Sequence, residues 1–281
     1  MSPDSKSPKQ DSQEPGPPSG TTARLSGRAP SAWGATRDAL AALRNLDALL
    51  RSGSVLYRTI LDLLPELRTS ATVLRDLFER AQSTEGAPRE VGDHGVARVT
   101  ELTELLEATA QADGERDELA ARTRRLADEL EAVADLLALL ERAADPAPTE
   151  VSVDRLVREA VRLSPGAGRG RELVLRFDEA APDCAVDADP SVVGTLLSLL
   201  AGSIDGGAPG VVLRARCSRD EAVFAFEPAT AADACFPAFS VRVPAQVPPT
   251  AAVVVAVAAQ IGASLERDRG RASLRMRCAP G

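Results

Sequence analysis

The chain has 281 residues and a formal net charge of −8. That length allows one large or two small folded units after a tail, and the acidity excludes a nucleic acid as a partner of the whole molecule. Hydrophobic residues make up 44% and aromatics only 3%, so a substantial core has to be built of Leu, Val and Ala. The longest apolar run, Pro248 to Ile261, is broken by Thr250 and Gln260 and is too short to cross a bilayer. No membrane partner is expected, and with no signal peptide the expected location is cytoplasmic.

Residues 1–34 are rich in Pro, Ser and Gly and are expected to be disordered. From Ala35 to about Gln82 apolar residues recur at helical spacing, with Ser52-Gly53-Ser54 as a turn or kink. Pro65 lies inside this stretch and predicts a kink or a helix start. Residues 83–95, with Gly86, Pro88, Gly92 and Gly95, read as a breaker. A long helix is predicted from about Val96 to Ala144, with Ala112-Asp113-Gly114 as a candidate interruption. A two-helix hairpin of this kind cannot bury its apolar stripe alone. Pairing with a second copy into a coiled-coil-like four-helix bundle would solve that problem, so a homodimer is expected.

Asp145-Pro146-Ala147-Pro148 ends the helical region, which sets the domains at 1–34, 35–145 and 146–281. Val151 to Leu163 reads as a short strand and then a helix. Glu172 to Asp178 alternates like a strand, and Pro190 to Ile204 is helical. Val211–Arg216 and Ala222–Phe226 predict a hairpin through Arg219-Asp220. Ser240–Val243 is a further short strand, and Ala251–Ile261 is a helix. Ala263–Arg267 and Ala272–Arg277 form a last hairpin through Arg269-Gly270. The order predicts an α+β chain: a helical region followed by a two-layer α/β sandwich with one open sheet.

Few residues carry candidate chemistry. The four cysteines (Cys184, Cys217, Cys235 and Cys278) are widely spaced and lack Cys-x-x-Cys, so they read as reduced packing thiols, with no metal site expected. Asp189-Pro190 reads as a helix cap rather than half of an acidic pair with Asp187. Gly166-Ala167-Gly168-Arg169-Gly170 lacks the Gly-Lys-Ser/Thr of a phosphate loop and reads as a connector. His94, the chain's one histidine, sits in Gly92-Asp93-His94-Gly95 and reads as a loop residue; the competing reading makes it a phosphorelay acceptor.

Leu64-Pro65-Glu66-Leu67-Arg68-Thr69 resembles the phospho-acceptor motif of sensor histidine kinases, in which a His precedes Glu-Leu-Arg-Thr and a Pro follows. Here Pro65 takes the acceptor position and Ser70 follows Thr69. Proline has no side-chain nucleophile and cannot carry a phosphoryl group. Residues from about Val151 to Cys278 resemble the ATP-binding domain of the same family, of the GHKL ATPase group. Val153-Asp154-Arg155-Leu156-Val157, Val186-Asp187-Ala188-Asp189-Pro190 and Leu196 to Ile204 carry that likeness. The two Asn positions of the family fall on Ser198 and Gly202. Its Asp-x-Gly-x-Gly turn falls on Glu227-Pro228-Ala229-Thr230, and its second glycine box on Pro248-Pro249-Thr250-Ala251-Ala252. Magnesium needs oxygen ligands in near-octahedral order, and phosphate cradles need glycine backbone. The resemblance therefore implies a kinase frame with no ATP or other cofactor.

The implied function is a non-catalytic, histidine-kinase-like regulator of two-component signalling. Its partner would be a response-regulator receiver domain or a partner histidine kinase. The family's receiver-docking face implies Arg68, Thr72, Arg75 and Asp76 as partner-binding residues. The alternatives are a phosphotransferase relaying through His94 without ATP, and a divergent active kinase.

Overall fold

The computed structural model describes residues 41, 44–45, 57–83, 87–111, 116–162, 170–177, 184–204, 210–235, 238–242, 246–268 and 270–279. The expected disordered tail, the Ser52–Ser54 turn and the Gly166–Arg169 connector lie outside the described residues. The helical part contains α1 (Tyr57–Gln82), α2 (Arg89–Gln111) and α3 (Arg116–Ala144). Ala41, Arg44 and Asn45 are also helical.

Among the described residues this region holds three full helices rather than one hairpin. On α1, Leu64, Leu67, Ala71, Leu74, Phe78 and Ala81 are buried, at spacings of three and four that keep them on one face. They pack against Val91, Val99, Leu102 and Leu106 of α2 and Leu126, Leu130 and Val133 of α3 in one core. Helix α3 runs back along α2, since Arg98 lies 3.5 Å from Glu129 and Arg122 3.4 Å from Glu101. The Arg44 guanidinium pairs with Glu131 on another side of α3. The stripe that called for a second copy is thus covered within the chain, and burial alone no longer requires a homodimer.

The breaker expected over 83–95 is corrected: from Arg89 onward it is helix. Pro88 sits just ahead of the first turn and its carbonyl accepts from the Val91 amide at 3.0 Å, a place where proline costs nothing. Gly92 and Gly95 serve packing rather than turning. A Cβ at Gly95 would stand 2.3 Å from the Phe78 ring, and one at Gly92 would stand 2.6 Å from the Phe78 carbonyl oxygen. The two glycines let α2 cross α1 at close range. The helix start expected at Pro65 is corrected as well, since Pro65 lies inside α1.

The second half holds β1 (Thr149–Ser152), α4 (Val153–Arg162), β2 (Gly170–Phe177), β3 (Ala185–Ala188), α5 (Pro190–Ser203), β4 (Gly210–Cys217) and β5 (Glu221–Pro228). A 3₁₀ turn (Ala231–Cys235), β6 (Ala238–Arg242), α6 (Thr250–Gln260), β7 (Ser264–Asp268) and β8 (Arg271–Arg277) follow. Six strands form one mixed sheet in the order β6-β2-β4-β5-β8-β7, with β2 and β4 parallel; β1 and β3 make a separate antiparallel pair. One sheet face is built by Leu173, Leu213, Phe224, Phe226 and Leu274. It shares a core with Leu156 of α4, Leu196 and Leu200 of α5 and Val254 of α6. The chain is therefore α+β, with a two-layer sandwich beyond the helices. Asp189 caps α5 through the amides of Ser191 (2.9 Å) and Val192 (3.2 Å), with Pro190 at the first helical position, the pattern that its sequence predicts. Its other oxygen accepts from the Ala147 amide at 3.2 Å, and Arg142 of α3 donates to the Ser191 hydroxyl at 2.9 Å. The end of the helical region is thereby tied to the start of α5.

Candidate functional site

The face of α1 opposite its core stripe carries Pro65, Arg68, Thr69, Thr72 and Asp76, all exposed, with Arg75 half-buried at its border. Pro65, Arg68, Thr72 and Asp76 follow one another at helical spacing, so the structure brings the predicted docking residues onto one stripe. Pro65 removes the amide that the Leu61 carbonyl would accept. The helix persists because its inner face is buried against α2. The Thr69 hydroxyl donates to the Pro65 carbonyl at 2.9 Å, and the Thr72 hydroxyl to the Arg68 carbonyl at 3.0 Å. Both threonines therefore turn their oxygens back onto the helix and leave their methyl groups outward. The stripe offers charge from Arg68 and Asp76 but no group at position 65 that could accept a phosphoryl.

His94 is helical rather than in a loop: it lies in the second turn of α2, held there by the glycine packing against Phe78. It is half-buried, and its Nε2 is enclosed with no hydrogen-bond partner among the described residues. Burial pushes its pKa below the ordinary histidine value, the Arg98 guanidinium adds to this, and Glu129 opposes it. Enclosed in this way, Nε2 is not presented to a partner's phosphoryl group.

The nucleotide-binding positions implied by the resemblance lie on α5 and β5. Ser198 is 2% exposed within α5, and Gly202 one turn later has no ligand atom. Glu227 lies on the open face of the sheet, 3.6 Å from Arg214, whereas its neighbour Phe226 is the one that enters the core toward α5. Ser198 and Gly202, four residues apart, share one face of α5. Beyond β5 the chain folds down as a clamped turn. Asp233 accepts from the Thr230 amide and hydroxyl, each at 2.7 Å, and pairs with Arg176 of β2. These bonds, the Thr230 hydroxyl first, hold its carboxyl below the usual range. The next segment runs antiparallel to β2 as the edge strand β6. At the start of α6, Pro248 and Pro249 lack N–H groups, and the Thr250 amide is spent on the Val247 carbonyl at 2.9 Å. The Thr250 hydroxyl accepts from the Val247 amide at 3.1 Å. Helix N-termini bind phosphate through free amides; here the Thr250 amide is occupied, while those of Ala251 and Ala252 are not capped by a side chain. Among the described residues at these positions none carries the Asn side chains, or in the two boxes the glycines, that the resemblance calls for.

The cysteines correct the sequence reading. Cys184 ahead of β3 and Cys217 at the end of β4 form a disulfide. The Cys278 sulfur, after β8, stands 3.1 Å from that of Cys184. Sequence separations of 33 and 94 residues hide this meeting. The placement of Cys217 and Cys278 at the same end of the β4-β5-β8 sheet was the available signal, since Cys217 pairs with Ala222 and Ala222 with Met276.

No described helix is long and apolar enough to cross a membrane. The sequence matches no model of a known protein family and no curated protein. Solved structures similar to this chain include Acinetobacter baumannii histidine kinase AdeS, with a TM-score of 0.43 and 12% identity, covering 65% of this chain and 94% of that one. Full-length ShkA in complex with AMPPNP gives a TM-score of 0.40 and 18% identity over 80% of this chain and 46% of that one. A histidine kinase from Burkholderia phymatum STM815 gives 0.31 and 20% over 72% of this chain and 96% of that one.

Proposed function

We propose that this chain is a non-catalytic, histidine-kinase-like regulator of two-component signalling that binds a receiver domain of a response regulator, or a partner histidine kinase, through the outer face of α1. One observation carries the reading. The exposed stripe of Arg68, Thr72 and Asp76, with Arg75 at its edge, continues directly from position 65, where the acceptor motif has a proline. A docking face is thus retained beside a position that cannot take phosphate. The prolines ahead of α6 and the clamped turn at Asp233 support the same reading, because both stand where the resemblance calls for glycine backbone. The relay through His94 is not carried forward, since its Nε2 is enclosed.

The test is calorimetric titration of the full chain with a panel of purified receiver domains, alongside a titration with ATP and magnesium. The expected result is binding of at least one receiver domain, weakened about tenfold by Arg68→Glu or Arg75→Glu with unchanged melting, and no heat from ATP. Rim charges act mainly on encounter and are salt-dependent, so the effect should shrink at high salt. Transfer of label from [γ-³²P]ATP to the chain would overturn the non-catalytic reading. Receiver binding that ignores both charge reversals would overturn the surface.

A further inference from the structure

We propose that Cys184, Cys217 and Cys278, when reduced, form a thiolate site for a thiophilic cation of the zinc(II) class. The three sulfur atoms all lie within 4.8 Å of one another. A tetrahedral zinc with bonds of about 2.3 Å holds its sulfurs roughly 3.8 Å apart, so once the disulfide is reduced the Cys184–Cys217 pair must open from bonded distance and the Cys184–Cys278 pair from 3.1 Å, which side-chain rotation supplies. Three protein thiolates leave the fourth corner of the tetrahedron for water.

The ligands stand on pinned backbone, as a preorganised site requires. The Cys184 carbonyl accepts from the Val153 amide at 2.9 Å, the Cys278 amide donates to the Asp220 carbonyl at 3.0 Å, and the Ala279 amide donates to the Ala185 carbonyl at 2.9 Å. Cys217 sits in register with Ala222 on β5. All three cysteines are half-buried, screened from bulk water but reachable.

The shape of the cluster distinguishes this from a site for disulfide exchange. Attack by Cys278 on the Cys184–Cys217 bond needs the three sulfurs near a line, with Cys184 in the middle. A normal bond of about 2.05 Å followed by the 3.1 Å gap would place the outer sulfurs more than 5 Å apart, by roughly the sum of the two. They are within 4.8 Å, so the three form a triangle, which suits one shared cation. The disulfide withdraws two of the three ligands, so disulfide and cation exclude each other.

The experiment titrates zinc into the fully reduced, full-length chain under argon, with cobalt(II) as a spectroscopic stand-in and mass spectrometry of iodoacetamide-treated protein as a second readout. We expect one zinc per chain, a thiolate-to-cobalt charge-transfer band, and zinc protection of Cys184, Cys217 and Cys278 from alkylation. Cys184→Ser, Cys217→Ser and Cys278→Ser should each weaken binding by about tenfold or more, and Cys235→Ser should not. Alkylation of the wild type needs no variant to fold, so it stands alone as a test. No zinc uptake after reduction, alkylation unaffected by zinc, or full affinity in a folded Cys278→Ser chain would each overturn the proposal.

Discussion

Gly95→Ala should destabilise the chain, although the same change on a free helix surface would stabilise it. Replacing an interior helical glycine by alanine is worth about 1 kcal/mol in favour of the helix. At Gly95 the new Cβ would lie 2.3 Å from two ring carbons of Phe78 and 2.7 Å from a third. Carbon atoms settle at about 3.5–4.0 Å, so ring and helix must part by more than an ångström. Phe78 is fully buried and has no solvent to swing into. Overpacking of this kind costs typically 1–3 kcal/mol, and the rigid ring places this case at the upper end. The net expectation is a loss of about 2 kcal/mol in urea unfolding. The second arm is Phe78→Leu, which removes the ring: in that background Gly95→Ala should turn neutral or favourable by up to about 1 kcal/mol. A stabilised Gly95→Ala single variant, or a double-mutant cycle with no coupling, would refute the close crossing of α1 and α2, and with it the present orientation of the docking stripe.

Three other measurements bear on the same elements. Burial, with Glu131 adding and Arg142 and Arg44 opposing, raises the Asp135 pKa from 3.8 to about 6, so the folded chain keeps a proton that the unfolded chain has released. Stability should therefore fall as pH rises through that window, by up to about 3 kcal/mol for a shift of roughly two units. The difference between wild type and Asp135→Asn isolates this term from His94, and a pH-independent difference would contradict it. Pro65→Ala restores a donor for the Leu61 carbonyl and should raise stability by up to about 3 kcal/mol; a drop in the melting temperature would mean that α1 does not run through this position. Asp233→Ala removes the partner of Arg176 and Thr230, and hydrogen exchange across residues 230–235 should quicken without global unfolding; unchanged protection there would show that the clamp holds nothing.

Where hydrophobic period and turn chemistry agreed, the sequence was readable. The β4–β5 and β7–β8 hairpins, α5 with its Asp189 cap and α6 all follow from alternation, helical spacing or a cap. The helical region was misread where one residue type serves two ends. Glycine marks turns, but Gly92 and Gly95 are there because Phe78 lies against them, and only the partner helix reveals that. Likewise Pro65 predicts a break from local chemistry, whereas tertiary burial of Leu64, Leu67 and Leu74 carries the helix past it. The cysteine cluster was illegible because Cys184 reaches the end of the sheet from a strand pair outside it. On α1 the spacing of Arg68, Thr72 and Asp76 was legible, but their exposure became definite only once the inner face had a partner.

Returning a histidine to position 65 separates the two losses that the proposed function combines. The residue would stand on an exposed face of α1, next to the stripe that is proposed to receive a receiver domain. Phosphoryl transfer from a phosphorylated receiver needs only that docking and a nucleophile in reach. Transfer from ATP needs in addition a nucleotide seat, which the proposed function takes to be missing at Ser198, Gly202, Glu227 and the prolines ahead of α6. Pro65→His is therefore expected to gain acid-labile phosphate from a phosphorylated partner receiver and none from ATP with magnesium. Labelling from ATP would show that the sandwich still works as a kinase domain and that the proline alone silences it. Failure to accept phosphate from a receiver that binds the chain would show that the partner docks elsewhere than the face of α1.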